Sequence, residues 1–187
     1  MKIYLLLLRG INVGGKNKVP MKTLKDCLTE LGFFNVTTYI ASGNVILQSD
    51  KKPAEIQQMI ETALPKSFTL DSELIKVLVM TRDQLADVIA NKPQGFGDQP
   101  DTYHSDAIFL MGITSSEAMP IFNPREGVDT VWQGDGVIYS QRVSSLRTKS
   151  RLSTVMMSPL YKSMTVRNWN TTVKLLDLAN TLANREV

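Results

Sequence analysis

Ile3-Tyr4-Leu5-Leu6-Leu7-Leu8, followed by Arg9-Gly10-Ile11-Asn12-Val13-Gly14-Gly15-Lys16-Asn17-Lys18-Val19-Pro20, is the stretch from which the rest of the chain can be ordered. The apolar run lies between Lys2 and Arg9 and is far too short for a signal segment or a membrane span, so it reads as a buried strand. Pro20 sits at a helix start, and Leu24, Cys27, Leu28 and Leu31 share one helical face before Gly32 ends it. Val36–Ile40 and Asn44–Gln48 read as strands joined around Ala41-Ser42-Gly43. Pro53 opens a second helix with Ile56, Met59, Ile60, Ala63 and Leu64 inward, and Leu74–Met80 is a further strand. The order βαββαβ is that of a ferredoxin-like unit.

The second half repeats this order without repeating its residues. Thr81 and Gln84 form a capping box for a helix carrying Leu85, Val88 and Ile89. Lys92 to Tyr103 is rich in Pro, Gly and Asp and reads as a linker, in which His104 is also placed. Ala107–Gly112 is a strand, Thr114 and Glu117 make another capping box, and Pro120 keeps that helix short. Val128–Trp132 and Val137–Ser140 flank Gln133-Gly134-Asp135-Gly136, a hairpin signal. A short helix near Leu152–Met157 and a strand near Thr165–Val166 complete the unit, and Asn170 is expected to cap a last helix with Leu175, Leu176, Ala179, Leu182 and Ala183. The expected class is α+β: two ferredoxin-like βαββαβ subdomains in tandem, with an additional C-terminal helix. Residues 1–80 form the first subdomain, 81–103 a connecting helix and linker, and 104–187 the second subdomain with that helix.

Composition narrows the function. The chain has 187 residues, 43% hydrophobic and 21% charged, ordinary values for a folded protein. One cysteine, Cys27, allows no intramolecular disulfide and fits a reducing, cytoplasmic setting. With one cysteine and one histidine a structural zinc site is excluded, and no metal is expected. Cys27 lies on an apolar helix face, which suits packing better than nucleophilic chemistry. His104, Ser105 and Asp106 are neighbours in sequence, whereas a triad is assembled from separate elements. No residue pattern names a reaction, a cofactor or an oligomeric state. Charge is uneven. Residues 1–26 hold six Lys/Arg against one acid, 147–187 hold seven against two, and 27–146 hold eight against fifteen. Two basic ends would suit an anion if they met, and uneven scatter of surface charge explains the counts equally well.

Gly10 to Asn17 reads G-x-x-x-x-G-K-N, one residue short of a phosphate-binding P-loop. Asn17 stands where a magnesium-binding hydroxyl is needed, and Lys18-Val19-Pro20 postpones the helix whose amides should face the phosphate. A glycine-rich turn with Arg9, Asn12, Gly14, Gly15 and Lys16 can still form a backbone nest for an anion, or serve tight geometry only. Ser42-Gly43-Asn44 reads as a turn or bulge beside it. In Thr165-Val166-Arg167-Asn168-Trp169-Asn170-Thr171, Arg167 offers a forked donor, and Trp169 can stack on a ring or anchor the core. Arg147, Lys149 and Arg151 alternate with Thr and Ser, a pattern that suits phosphate contacts or a plain basic loop. An RNA-recognition module would need aromatics on its first and third strands. Tyr4 is present, but Asn44-Val45-Ile46-Leu47-Gln48 offers none.

Arg9 to Met21, Thr38-Tyr39-Ile40-Ala41-Ser42-Gly43-Asn44-Val45 and Thr165 to Thr171 together resemble family 1697 of the bacterial domains of unknown function. The resemblance runs the length of the chain, with Ala41 and Val166 standing where Gln and Ala are common. It implies two ferredoxin-like subdomains and brings no activity with it. The expected ligand is a phosphate-bearing or other anionic small molecule. Arg9, Asn12, Gly14, Gly15, Lys16, Ser42 and Asn44 would face it from one side, and Arg167, Asn168 and Trp169 from the other. Nucleic-acid binding through the basic ends is the second expectation, a structural or protein-interaction role the third, and no membrane is expected as a partner.

Overall fold

Tyr4–Leu8 fills the middle of strand β1 (Lys2–Arg9), and alternate residues are buried on both of its faces: Leu6 and Leu8 at 0% and 1% exposure, Leu5 and Leu7 at 0% and 2%. A run that is apolar at every position can hide both faces only as a central strand. The computed structural model describes residues 1–71 and 75–186. They fall into two compact units, one of Met1–Ala86 with the chain from Lys174 onward, the other of Asp87–Val173.

In the first unit, β1 is followed by α1 (Met21–Glu30), β2 (Phe34–Tyr39), β3 (Asn44–Ser49), α2 (Pro53–Ser67) and β4 (Lys76–Thr81). The sheet order is β2-β3-β1-β4, with every neighbouring pair antiparallel. Leu6 lies opposite Val45 on β3 and Val79 on β4. Tyr4, Leu6 and Leu8 meet Leu24 and Leu28 of α1 and Ile56, Ile60 and Leu64 of α2 in one core cluster. Each such side chain contributes about 1.5–3 kcal/mol on burial. The strand expected over Leu74–Met80 is Lys76–Thr81; Leu74 itself lies outside the described residues. The Thr81 capping box forms. The Thr81 amide donates to Gln84 Oε1 at 2.8 Å and the Gln84 amide to Thr81 Oγ1 at 3.1 Å, opening α3 (Arg82–Ala90).

In the second unit, β5 (Tyr103–Leu110), α4 (Ser115–Ala118), β6 (Asp129–Gln133), β7 (Val137–Val143) and β8 (Met164–Asn168) build a sheet of order β6-β7-β5-β8. The order matches that of the first sheet, strand for strand. The crossover from β7 to β8 is not an α-helix but three 3₁₀ helices, Ser144–Lys149, Leu152–Met157 and Pro159–Ser163. Ser and Thr side chains compete for backbone groups along this segment, and Pro159 cannot continue a helix. The last helix, α5, spans Trp169–Ala183. Its cap is Asn168 rather than Asn170: Asn168 Oδ1 accepts from the Asn170 amide at 3.0 Å, so Asn170 already lies within the first turn. His104 is corrected too. It belongs to β5, which begins four residues before the expected Ala107, because Ser105 and Asp106 find partners that let polar residues enter the sheet.

One face of this sheet packs Ile108, Leu110, Ile138 and Met164 against Ala118, Phe122, Leu152 and Val155. Elsewhere in the unit, Phe96 meets Trp132, Tyr139 and Trp169 edge to face, with centroids 5.8, 5.1 and 4.9 Å away. Such pairs add about 0.5–1.5 kcal/mol each beyond their buried area. Gly97 sits against this cluster at φ +75°, and a Cβ there would lie 2.4 Å from Trp169 Cδ1. Gly97→Ala should therefore cost at least about 2 kcal/mol, from left-handed strain and displaced indole together, read as a lower midpoint in chemical denaturation. Wild-type stability in that variant would show that Trp169 is free to move.

Candidate functional site

The glycine-rich loop is bonded mainly to itself and its neighbours. Gly14 and Gly15 hold φ of 58° and 77°, the twisted two-residue turn that closes a narrow hairpin, and the Lys16 amide donates to Val13 O at 3.0 Å. Asn12 uses its whole side-chain amide. Nδ2 donates to Val19 O at 2.9 Å and Ala41 O at 2.8 Å, while Oδ1 accepts from the Val19 amide at 2.8 Å. Asn17, 6% exposed, donates from Nδ2 to Gly10 O at 2.8 Å and accepts the Asp71 amide on Oδ1 at 2.8 Å. Its own amide donates to Asp71 Oδ2 at 2.6 Å. One amide of the expected nest, that of Asn17, thus donates to the protein's own carboxylate. The helix starts only at Met21.

Asn12 also joins this loop to the turn after β2. There Asn44, fully buried, donates from Nδ2 to Tyr39 O at 3.1 Å and to Ser42 Oγ at 2.9 Å, and the Leu8 amide donates to Gly43 O at 2.8 Å. Arg9 is half-buried at the end of β1 opposite Lys76, and Lys16 is exposed. Arg9, Asn12, Gly14, Gly15, Lys16, Ser42 and Asn44 thus all lie in the first unit, where Asn12 ties the glycine-rich loop to the turn that holds Ser42 and Asn44.

Arg167, Asn168 and Trp169 belong to the second unit. Arg167 is 7% exposed, and its Nη1 donates to Thr165 Oγ1 at 2.9 Å and Val166 O at 2.8 Å. Burial pulls its pKa down to about 10, so it remains a cation at neutral pH. Asn168 spans two strands, donating from Nδ2 to Ser105 O at 3.3 Å while its Oδ1 caps α5. Beside it lies a polar pocket of about 140 Å³, lined by Gly97, Pro100, Tyr103, His104, Ser105, Asn168, Trp169 and Asn170. The first turn of α5 carries no acid to offset the positive end of the helix.

His104 lines this pocket and Asp106 lies beside it, the two residues that the sequence reading weighed with Ser105 as a triad and set aside. Placed two apart on a strand they share a face, and His104 Nε2 lies 3.1 Å from Asp106. The local pattern gave no strand signal there: Tyr103-His104-Ser105-Asp106 does not alternate polar with apolar residues, and the Pro- and Gly-rich run before it masked the strand start. The cross-strand partner of His104 is Arg142. Desolvation raises the Asp106 pKa, with His104 and Arg142 pulling the other way without cancelling it. Asp129 shows the opposite balance. Burial would raise it, but the Ser150 side chain, the amides of Arg151 and Arg125 (2.8 and 3.0 Å to Oδ2) and the Arg142 charge outweigh burial and lower it.

The two carboxylates should respond oppositely to neutralisation. A raised folded pKa means that ionised Asp106 costs stability, the loss developing as pH rises from the ordinary carboxylate value through the folded one. Asp106→Asn should therefore raise the melting temperature at pH 7, with the gain vanishing below about pH 3.8. Asp129 contributes stability above its ordinary value that is lost as pH falls through its lowered one, and Asp129→Ala should cost about 1.5–3 kcal/mol for each charge-assisted bond removed. Melts of both variants across pH check the signs; a destabilised Asp106→Asn at pH 7 would reverse the first.

Among the described residues, no helix is long and apolar enough to cross a membrane, and no group of three His, Cys, Asp or Glu is placed to hold a metal ion. No curated protein matches the chain. Among solved structures, the conserved bacterial protein SP0830 from Streptococcus pneumoniae superposes with a TM-score of 0.79 at 25% identity, covering 95% of this chain and 98% of that one. Residues 1–139 match the family described as protein of unknown function (DUF1697). The chain belongs to that family.

Proposed function

We propose that the protein binds a small anion, the phosphate or carboxylate group of a metabolite-sized ligand, in the pocket at the first turn of α5. The observation that carries this reading is the meeting of an acid-free helix N-terminus with the chain's only histidine in one polar recess. Helix amides and their summed dipole attract negative charge, and His104 adds a donor that becomes cationic on protonation. Asp106 lies beside that histidine, and its charge is partly balanced by Arg142. Size sets the ligand class. At about 140 Å³ the recess is well under the ~300 Å³ at which drug-sized sites begin. A charged head group fits and the rest of its molecule would extend into solvent.

Of the residues expected from sequence, this reading uses Asn168 and Trp169 and adds His104 and Asn170. Arg9, Asn12, Gly14, Gly15, Lys16, Ser42 and Asn44 serve the first unit, where Asn12 and Asn44 spend their side-chain amides on backbone and Ser42. Arg167 contributes a buried positive charge two residues before the helix starts.

Thermal-shift titration with inorganic phosphate, sugar phosphates, nucleotides and small dicarboxylates tests the reading. A ligand at a hundredfold excess over its dissociation constant adds about 2.7 kcal/mol, which is roughly 5–10 °C for a chain of this size. His104→Ala and Asn170→Ala should each reduce that shift, and Lys16→Ala should leave it intact. The absence of a shift with every anion would sink the proposal. A shift lost in Lys16→Ala but retained in His104→Ala would move the site to the glycine-rich loop.

A further inference from the structure

From Val137 to Leu176 the chain contains seven Lys/Arg and no Asp or Glu. The 3₁₀ segment Ser144–Ser163 carries four of these cations, Arg147, Lys149, Arg151 and Lys162, and all four are exposed. Among the other seventeen Lys/Arg, ion pairs join Lys51 with Glu55, Arg82 with Asp83, Lys92 with Asp98 and Lys174 with Asp177. Among the described residues, none of the four has an acidic partner within salt-bridge distance. An unmatched row of like charges repels itself, and a polyanion relieves that repulsion.

The segment is also held in place from beneath. Asp129 Oδ2 accepts the Arg151 amide at 2.8 Å, and Arg125 Nη1 donates to Lys149 O at 3.3 Å. Both anchors grip the backbone and leave the cationic side chains of Lys149 and Arg151 to solvent. Ser145, Thr148 and Ser153 are exposed between the charges, and hydroxyls beside Lys and Arg are the donors that phosphate oxygens accept. Met156 and Met157, 57% and 81% exposed, are the only large apolar groups on this surface. A lipid-docking element would carry Trp, Phe or Leu against its basic face. The segment offers no exposed aromatic ring on which bases could stack.

We infer that Ser144–Ser163 is a sequence-independent docking surface for the phosphate backbone of a nucleic acid. It engages about four phosphates and reads no bases.

Fluorescence polarisation of the full chain with labelled 20-mer duplex DNA, duplex RNA and single strands tests this. Four phosphate contacts give a slope of log affinity against log salt of about −3.6 on duplex DNA, hence an affinity about 150-fold lower at 200 mM than at 50 mM salt. Two duplexes of unrelated sequence should bind alike. The combined Arg147→Ala, Lys149→Ala and Arg151→Ala substitution spares both backbone anchors and should flatten the slope to about −0.9. Lys51→Ala, on the first unit, should leave it unchanged. If the triple variant folds poorly, the single Arg147→Ala, Lys149→Ala and Arg151→Ala substitutions carry the same test, each making the slope shallower by about 0.9. No binding at 50 mM salt, a wild-type slope shallower than about −1, or a slope unchanged in a folded triple variant would overturn the inference. Binding to phosphatidylserine vesicles without binding to nucleic acid would overturn it in favour of a membrane surface.

Discussion

The first unit depends on the burial of β1 from both sides. Leu5, Leu6, Leu7 and Leu8 are all within 2% of complete burial, so the strand cannot lie at a sheet edge and must be flanked by partners, β3 on one side and β4 on the other. That requirement places two crossovers, and the apolar stripes of α1 and α2 fill one face. The second unit meets the same topological requirement with β5 between β7 and β8, but from a strand that is polar in its first half. The buried Ser105 of β5 is satisfied internally: its Oγ donates to Gln141 Oε1 at 2.8 Å, and the same oxygen accepts the Gly97 amide at 3.0 Å. One fold is reached by hydrophobic continuity in one case and by hydrogen-bond matching in the other.

Asparagines hold the turns of the first unit. Asn12 and Asn17 both occupy left-handed backbone, with φ of 54° and 47°, which their short polar side chains tolerate better than other residues. Each then returns hydrogen bonds to backbone several residues away. A loop made this way is tied to its unit by its own side chains, and the Asn17 amide donates to the Asp71 carboxylate. The similarity to a P-loop therefore has a physical source: a strand-end loop with positive-φ glycines and a lysine is a way to turn a chain, whether or not a phosphate is present.

In the second unit charge is arranged differently. Arg167 is a cation kept out of water, and Asp106 is a carboxylate held where its ionised form is disfavoured. Stability alone would favour apolar residues at both positions, since buried charges seldom repay their desolvation. Both positions therefore carry a local cost in stability. Asp129 makes the comparison clear, because three backbone or side-chain donors turn that carboxylate into a structural anchor.

Periodicity and punctuation by themselves determined the α+β class, the βαββαβ order of the first unit and the four strands of the second, the helix starts at Pro20 and Pro53, and the Thr81 and Thr114 capping boxes. These are short-range properties, set by which residues alternate and which can donate or accept within a turn. Tertiary structure decided what local pattern leaves open. It set Asn168 rather than Asn170 as the cap of α5, because Asn168 is fixed by its bond to Ser105 across the sheet. It drew His104 out of an apparent linker into β5, because Arg142 and Asp106 were waiting at the matching register. It also spent the side-chain hydrogen bonds of Asn12, Asn17 and Asn44 on backbone and neighbouring side chains. A sequence shows which groups can bond; only the folded chain shows which bonds are already made.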